Sequence, residues 1–264
     1  SCSLIHDAME GTVDGKSLHL VISQEDTDFT ETVVPGVPAV STCVRILAQP
    51  GCELRLCCLL GEMPPGQQLP HGGMAGQSKV WRAAITLTDE VIERHLPALR
   101  AGARVLELGC GLGLPGMVCR ALGAQVLLTD MAEALPLLEQ RVATNVDVGA
   151  KGGSLRAAPL SWGADTAEAL LAKEGFFDFV LVSDCVFEPL YGPSWVQLAE
   201  CMNVLCGPAT TVLLSAQRRR SDDGVSLFLE FLSEYLDVEQ IRVLPVDTGT
   251  LEIFIARRHQ NDSC

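Results

Sequence analysis

A glycine-rich segment is the first part of the chain whose residue types and spacing could do chemistry. Residues 107–113 have the sequence E-L-G-C-G-L-G and lie between a predicted buried strand and a predicted helix. Glycines let a backbone approach a ligand closely, and the first N–H groups of a helix are free to bind one. A G-x-G-x-x-G frame that starts at Gly109 places Leu114 at its third glycine, so the spacing argues against a nicotinamide cofactor.

Two carboxylates accompany this segment. Glu107 stands two positions before Gly109 and suits a cationic ligand better than a pyrophosphate. Asp130 ends the next predicted strand, where a carboxylate can accept hydrogen bonds from both ribose hydroxyls of a nucleoside cofactor. The alternative for Asp130 is an N-cap of the helix that follows. The pattern favours the ribose role.

The elements that must position these residues alternate along the chain. Apolar runs predict strands, and helical spacing of apolar residues predicts the segments between them. The predicted strands are 104–108, 125–129, 155–158, 177–183, 210–215, 238–243 and 250–256; the predicted helices are 83–96, 114–122, 132–145, 195–205 and 225–236. This alternation predicts an α/β fold with a mostly parallel sheet and helices on both faces. The last two strands have too short a connection for a crossover, which predicts an antiparallel hairpin.

The N-terminal part of the chain differs from the rest. Residues 1–75 contain short β-rich runs at 18–23, 44–48 and 53–59, separated by Pro, Gly and acidic residues. We interpret 1–75 as a small β-rich extension without a chemical motif, and 76–264 as the main domain.

Taken together, the motifs resemble those of the seven-strand S-adenosylmethionine-dependent methyltransferases. More narrowly, they resemble the non-SET protein-lysine methyltransferases of the methyltransferase-like group. The resemblance rests on E-L-G-C-G-L-G, on Asp130, on the S-W-G turn and on the D-C-V-F motif, and it covers about residues 76–258. It implies a Rossmann-like seven-stranded sheet and S-adenosyl-L-methionine as the cofactor. The cofactor-binding residues that it implies are Trp81, Gly109, Cys110, Gly111, Asp130, Trp162 and Ser183. Glu107 is a further predicted cofactor-binding residue, because of its charge and its position before the glycines.

The target end of the site is implied by the fourth-strand motif. Asp184-Cys185-Val186-Phe187 stands where that group usually has D-x-x-Y, so the aromatic ring is kept and the hydroxyl is lost. Asp184 and Phe187 are the predicted catalytic residues, and Tyr191 is a candidate source of a hydroxyl. A carboxylate favours the ammonium form of a lysine, so the predicted role of Asp184 is docking and orientation. The alternative is a turn cap after the strand.

Composition narrows the class of partner. The chain has 264 residues, a formal net charge of −14 and a pI near 4.7, so nucleic acid is an unfavoured partner and a basic protein segment a favoured one. The eleven cysteines show no metal-ligand spacing, which indicates reduced core thiols in an intracellular protein and no metal site. No targeting or membrane-spanning run is evident. We therefore expect a cytoplasmic or nuclear monomer that acts on a protein lysine.

Several alternatives remain open at this stage. The same fold could methylate a small molecule, with the N-terminal extension as a lid. It could also methylate protein histidine, or bind the cofactor without catalysis, in which case Phe187 marks the lost activity. A nicotinamide oxidoreductase is a distant alternative. The run of Arg218, Arg219 and Arg220 is interpreted as a solvated loop in so acidic a chain.

Overall fold

The computed structural model describes residues 80–259 in full and, before them, the backbone of four strands at 8–13, 16–26, 39–46 and 53–59. Within these residues, no helix combines the length and the apolar character that a membrane crossing requires. The predicted role of Cys2, Cys52 and Cys264 lies outside the described residues. In the main domain, five cysteines are free and buried, as expected for reduced core thiols: Cys110, Cys119, Cys185, Cys201 and Cys206.

The described N-terminal strands form an antiparallel sheet in the order β1-β2-β3-β4. Their bounds are β1 (Ala8–Val13), β2 (Lys16–Asp26), β3 (Ala39–Ile46) and β4 (Glu53–Leu59). Each of the three predicted β runs falls on or overlaps β2, β3 or β4, whereas β1 was not predicted. The β-rich character of this extension is confirmed.

A second sheet has seven strands in the order β10-β11-β9-β8-β5-β6-β7. Six strands point the same way, and β11 runs antiparallel between β9 and β10, which confirms the predicted C-terminal hairpin. The bounds are β5 (Arg104–Leu108), β6 (Gln125–Asp130), β7 (Ser154–Pro159), β8 (Phe179–Ser183), β9 (Thr211–Arg218), β10 (Leu236–Val246) and β11 (Gly249–Arg258).

Seven helices of the described residues cover the two faces of this sheet. They are α1 (Arg82–Arg100), α2 (Leu114–Ala121), α3 (Leu135–Asn145), α4 (Ala164–Glu174), α5 (Glu188–Tyr191), α6 (Trp195–Leu205) and α7 (Val225–Leu232). Successive side chains of a strand point to opposite faces, and β5 shows this: Val105 packs with α1–α3, whereas Leu106 and Leu108 pack with α4, α6 and α7. The sheet therefore separates two apolar cores.

Two helices were not predicted, and two predicted helices differ from the structure at one end. Helix α4 was not predicted, because its sequence buries only Ala167 and Leu170 and lacks a broad apolar face. The short helix α5 was also missed. The predicted helix 132–145 begins as a 3-10 turn over Ala132–Ala134, and the predicted helix 225–236 ends at Leu232 because Leu236 already belongs to β10.

The order of the central strands creates the place for a ligand. The chain passes from β5 through α2 to β6 on one side, whereas β8 pairs with β5 on the other side. The carboxyl ends of β5, β6 and β8 therefore border a crevice at the point where strand order reverses, which is where open α/β sheets bind ligands.

Candidate functional site

A cavity of about 470 Å³ opens at this crevice. Nearly all sequence-predicted site residues line it, although they lie far apart in the chain. The predicted residues in its wall are Trp81, Gly109, Cys110, Gly111, Asp130, Trp162, Ser183, Asp184 and Phe187; Tyr191 and Arg219 lie there too. A single concave site that combines apolar walls with a few polar groups is the usual form of a small-molecule site.

The glycine-rich segment forms one wall through a left-handed backbone. The backbone φ angles of Gly109, Gly111 and Gly113 are 57°, 53° and 75°. Residues other than glycine rarely adopt this left-handed region. Gly113 is the N-cap of α2. At Gly109 a Cβ atom would stand 2.7 Å from Cζ2 of Trp162 and 2.9 Å from Sγ of Cys185. The absence of a side chain at Gly109 thus lets Trp162 reach the loop.

Gly109 is therefore a site where one methyl group should have a large effect. We expect the free energy of unfolding of Gly109→Ala to be lower than that of Gly192→Ala by about 1–3 kcal/mol, the usual cost of overpacking. Gly192 is a matched control, because it has φ of 61° and nothing within 4 Å of an added Cβ atom. Thermal denaturation of both variants measures the difference. Equal stabilities would mean that backbone strain alone matters at Gly109.

Asp130 organises the same loop. Its Oδ2 accepts a hydrogen bond from Gly111 N at 2.8 Å, and its Oδ1 accepts one from Met131 N at 2.8 Å. The alternative N-cap role is wrong, because Met131 holds the N-cap position of the 3-10 turn and makes no side-chain cap bond. Burial raises the pKa of Asp130, while the two backbone N–H groups act in the opposite direction. Each carboxylate oxygen has a second lone pair, so both can also accept from a ligand.

Glu107 is placed behind the cavity wall. It is fully buried, is not among the residues that line the cavity, and its Oε2 accepts a hydrogen bond from Gly116 N at 2.7 Å. Its Oε1 has no hydrogen-bond partner among the described residues. Burial raises the pKa of Glu107 to about 8, so the carboxyl is protonated at neutral pH. Its predicted cofactor role stays a prediction, and the structure indicates support of the loop–helix junction.

This protonated carboxyl has a consequence for stability. Between its unfolded pKa of about 4.5 and its folded pKa of about 8, the folded state binds one more proton, so stability falls as pH rises. We expect Glu107→Gln to remove this loss. As pH rises across that range, the free energy of unfolding of the variant should therefore increase relative to that of wild type by about 1.4 kcal/mol per pH unit. Urea denaturation at several pH values measures it, with the exposed Glu168→Gln as control. A difference that does not change with pH would mean that Glu107 is ionised in the folded protein.

The predicted target residues Asp184 and Phe187 line the same cavity together with Trp81, which was predicted to bind the cofactor. Trp81 is the N-cap of α1, Phe187 is the N-cap of α5, and Asp184 follows β8. Asp184 has φ of 53° and is the one residue other than glycine with a positive φ in the described part of the chain. Ser183 lies beside it, and its Oγ accepts a hydrogen bond from Ser215 Oγ at 3.4 Å.

Arg219 is a site residue that the sequence analysis missed. Its Nη1 donates to Asp184 Oδ1 at 3.1 Å, its Nη2 also donates to this carboxylate, and its side chain is 18% exposed. Gln217 N adds a hydrogen bond to Asp184 Oδ1 at 3.1 Å. Burial raises the pKa of Asp184, and Arg219 lowers it. The interpretation of this arginine run as a solvated loop is wrong for Arg219, because an acid at the end of a neighbouring strand binds it.

The two neighbours of Arg219 point elsewhere. Arg218 pairs with Glu252 at 3.0 Å, and Arg220 forms an exposed pair with Asp222 at 2.8 Å. The solvated interpretation thus holds for Arg220. The interaction of Arg219 had no local signal in the sequence, because Arg219 and Asp184 belong to loops that follow different strands.

Tyr191 lies in the same cavity wall. Burial raises the pKa of its hydroxyl to about 12, so the group stays protonated and can donate a hydrogen bond. In the described part of the chain, no group of three or more His, Cys, Asp or Glu side chains is placed to hold a metal ion.

The cavity fits the cofactor that the resemblance implies. The glycine-rich loop lines the cavity, and Asp130 lies beside it with carboxylate oxygens that keep a lone pair for ribose hydroxyls. Trp162 and Leu160 supply an apolar surface for a flat ring.

Fold and site together define a class I S-adenosylmethionine-dependent methyltransferase architecture. A solved structure with this fold is SMU.776, a putative methyltransferase complexed with SAH, with a TM-score of 0.51 and 12% identity over 82% of this chain and 55% of that one. The predicted fold class is confirmed.

The particular family follows from the sequence comparison. The family model described as lysine methyltransferase matches residues 69–235, and the chain belongs to this family. EEF1A lysine methyltransferase 3 of Xenopus tropicalis is 30% identical over 69% of this chain and 75% of its own length. Secreted RxLR effector protein 48 of Plasmopara viticola is 41% identical over 46% of this chain and 66% of its own length. The chain thus spans about two thirds to three quarters of the length of these relatives, and the resemblance stated from the motifs is confirmed.

Proposed function

We propose that this chain is an S-adenosylmethionine-dependent protein-lysine N-methyltransferase. The observation that carries the proposal is one cavity lined by two groups of residues: the glycine loop with Asp130, which we call the cofactor end, and Trp81, Asp184 and Phe187 around Arg219, which we call the target end. Both groups border the same space, so a cofactor and an acceptor could meet in it. Membership of the lysine methyltransferase family supports lysine as the acceptor.

Methyl transfer needs alignment more than it needs a protein nucleophile. When bound, the cofactor would supply a methyl group activated by its sulfonium. The neutral lysine nitrogen would bond to the methyl carbon in line as the C–S bond breaks, and S-adenosylhomocysteine would leave as the neutral thioether. Asp130 accepts hydrogen bonds from the ribose hydroxyls, Trp162 packs on the adenine side, and Ser183 contacts the cofactor near the acceptor. The apolar walls exclude water from the reacting atoms.

The acceptor must be a neutral amine. A free lysine has a pKa of about 10.4, so about one in a thousand is neutral near pH 7.4, and deprotonation costs about 4 kcal/mol. Phe187 keeps the aromatic ring of the motif in the cavity wall, where it borders the place of the lysine. The hydroxyl oxygen of Tyr191 accepts a hydrogen bond from an amine N–H in place of the hydroxyl that Phe187 lacks, which leaves the amine lone pair free to attack.

The kind of target follows from charge and from the relatives. An acidic chain attracts a basic segment and repels nucleic acid, so we propose a protein substrate with a lysine-rich surface. Two relatives are named EEF1A lysine methyltransferase 3, so EEF1A is the first protein to test. We propose that the protein acts as a monomer in the cytoplasm or nucleus, with 1–75 as an extension and 76–264 as the methyltransferase domain.

The direct test is transfer of radiolabelled methyl from S-adenosylmethionine into a cell extract that is then separated into protein and small-molecule fractions. A discrete labelled protein band, absent with Asp184→Ala, is the expected result, and mass spectrometry of that band identifies the methylated residue type. Methylation found on histidine would show that the acceptor is histidine and not lysine. Label in the small-molecule fraction alone would contradict a protein substrate. No label despite cofactor binding would favour an inactive binding module.

A further inference from the structure

The target end of the cavity already holds a cation that belongs to the chain itself. The guanidinium of Arg219 lies 5.6 Å from the ring centroid of Trp81 and 5.3 Å from that of Phe187. Both distances are in the range of a favourable cation–π contact. With the two hydrogen bonds to Asp184, the guanidinium is surrounded by an acid and two aromatic rings, which we call the cation box.

The cation box is a feature that the fold builds from separate elements. Trp81 precedes α1, Asp184 follows β8, Phe187 precedes α5, and Arg219 follows β9. Asp184 lies in the left-handed backbone region, which residues other than glycine adopt infrequently. Gln217 N and Arg219 together satisfy its carboxylate. Such convergence indicates a recognition site for a planar or compact cation.

A target lysine that entered as an ammonium ion would need this same place. An acid and aromatic faces are the groups that bind an ammonium, and in this cavity Arg219 occupies them. Displacement of Arg219 would break a partly buried bidentate pair, which is among the stronger interactions that an arginine makes. Entry of a neutral amine requires no displacement.

We propose that Arg219 determines the form of the acceptor: it fills the cation box and neutralises Asp184, so the site admits the target lysine as the neutral amine beside a fixed guanidinium. The inference rests on the proposed function. The lysine releases its proton to water before it enters. Besides Arg219, the charged or titratable groups whose charge acts on Asp184 or Tyr191 are Asp223, Cys185 and Asp130.

The test measures cation binding and needs no methyl transfer. The probes are n-butylammonium and methylguanidinium, both protonated near pH 7. They are titrated into the complex with S-adenosylhomocysteine, with saturation-transfer NMR as the readout. The proteins are wild type, Arg219→Ala, Arg219→Lys and Arg219→Ala with Asp184→Asn. Calorimetry with the cofactor shows that each variant is folded.

The expected result is saturable binding of both probes to Arg219→Ala, at least about tenfold tighter than to wild type. Arg219→Lys should exclude the probes, because its ammonium fills the box, and the double variant should bind neither because the acid is gone. A merely structural role of Arg219 would not restore cation binding in this pattern. Saturable binding of n-butylammonium to wild type would overturn the inference, since an ammonium would then displace Arg219. Failure of Arg219→Ala to bind either probe would also overturn it.

These outcomes are independent of the proposed function. If the extract experiment finds no methylated protein and the cation pattern still holds, the proposed function fails alone. If a methylated lysine is found and wild type binds n-butylammonium, the role of Arg219 fails alone.

Discussion

Asp184→Ala is expected to stop methyl transfer while it leaves the binding of S-adenosylmethionine nearly unchanged. The side chain of Asp184 is 8% exposed and makes its hydrogen bonds to Arg219 and Gln217 at the target end, whereas Asp130 and Trp162 lie at the cofactor end. Its removal leaves a buried guanidinium without a counter-charge, and such unpaired charges are strongly unfavourable. The guanidinium must then move, and the acceptor loses its position.

We expect a loss of turnover of at least about 100-fold, the scale on which misplaced acceptors slow a reaction. Labelled methyl transfer at saturating cofactor measures the rate, and calorimetry measures the dissociation constant. Asp222→Ala is a matched control, because it removes the same carboxylate from an Asp–Arg pair that is solvent-exposed. Full turnover in Asp184→Ala would show that the target end lies elsewhere.

The cofactor end of the site was predictable because its signals are local. The glycines of residues 107–113 follow a strand whose predicted bounds agree with β5, and Asp130 ends β6 one residue beyond the predicted end. Both positions follow from apolar patterning, since a parallel sheet brings the carboxyl ends of its strands to one edge. Helix α6 was predicted with its observed bounds because its apolar residues recur at helical spacing.

The target end was predictable only through resemblance, and then incompletely. Composition identified the arginine run but did not indicate that Arg219 folds back onto Asp184 while Arg220 stays exposed. That choice depends on the geometry of the loop after β9 and on the left-handed backbone at Asp184. Helix α4 was missed because it buries only Ala167 and Leu170, which leaves little apolar periodicity in its sequence.

Asp130→Ala is expected to weaken S-adenosylmethionine binding by about 100-fold or more. Hydrogen bonds to a charged carboxylate contribute about 1.5–3 kcal/mol each, so loss of two ribose contacts removes about 3 kcal/mol or more. The substitution also leaves the N–H groups of Gly111 and Met131 without their acceptor, which loosens the loop that faces the cofactor. Both effects act in the same direction.

The two contributions can be separated by a second variant. Asp130→Asn keeps an acceptor for one backbone N–H group and the shape of the side chain, but it loses the charge, so we expect affinity between wild type and Asp130→Ala. Asp147→Ala controls for net charge at an exposed position. Calorimetry measures each dissociation constant, and thermal denaturation without cofactor reports on the loop. An unchanged dissociation constant in Asp130→Ala would reject the ribose role, because no other carboxylate among the described residues lines this end of the cavity.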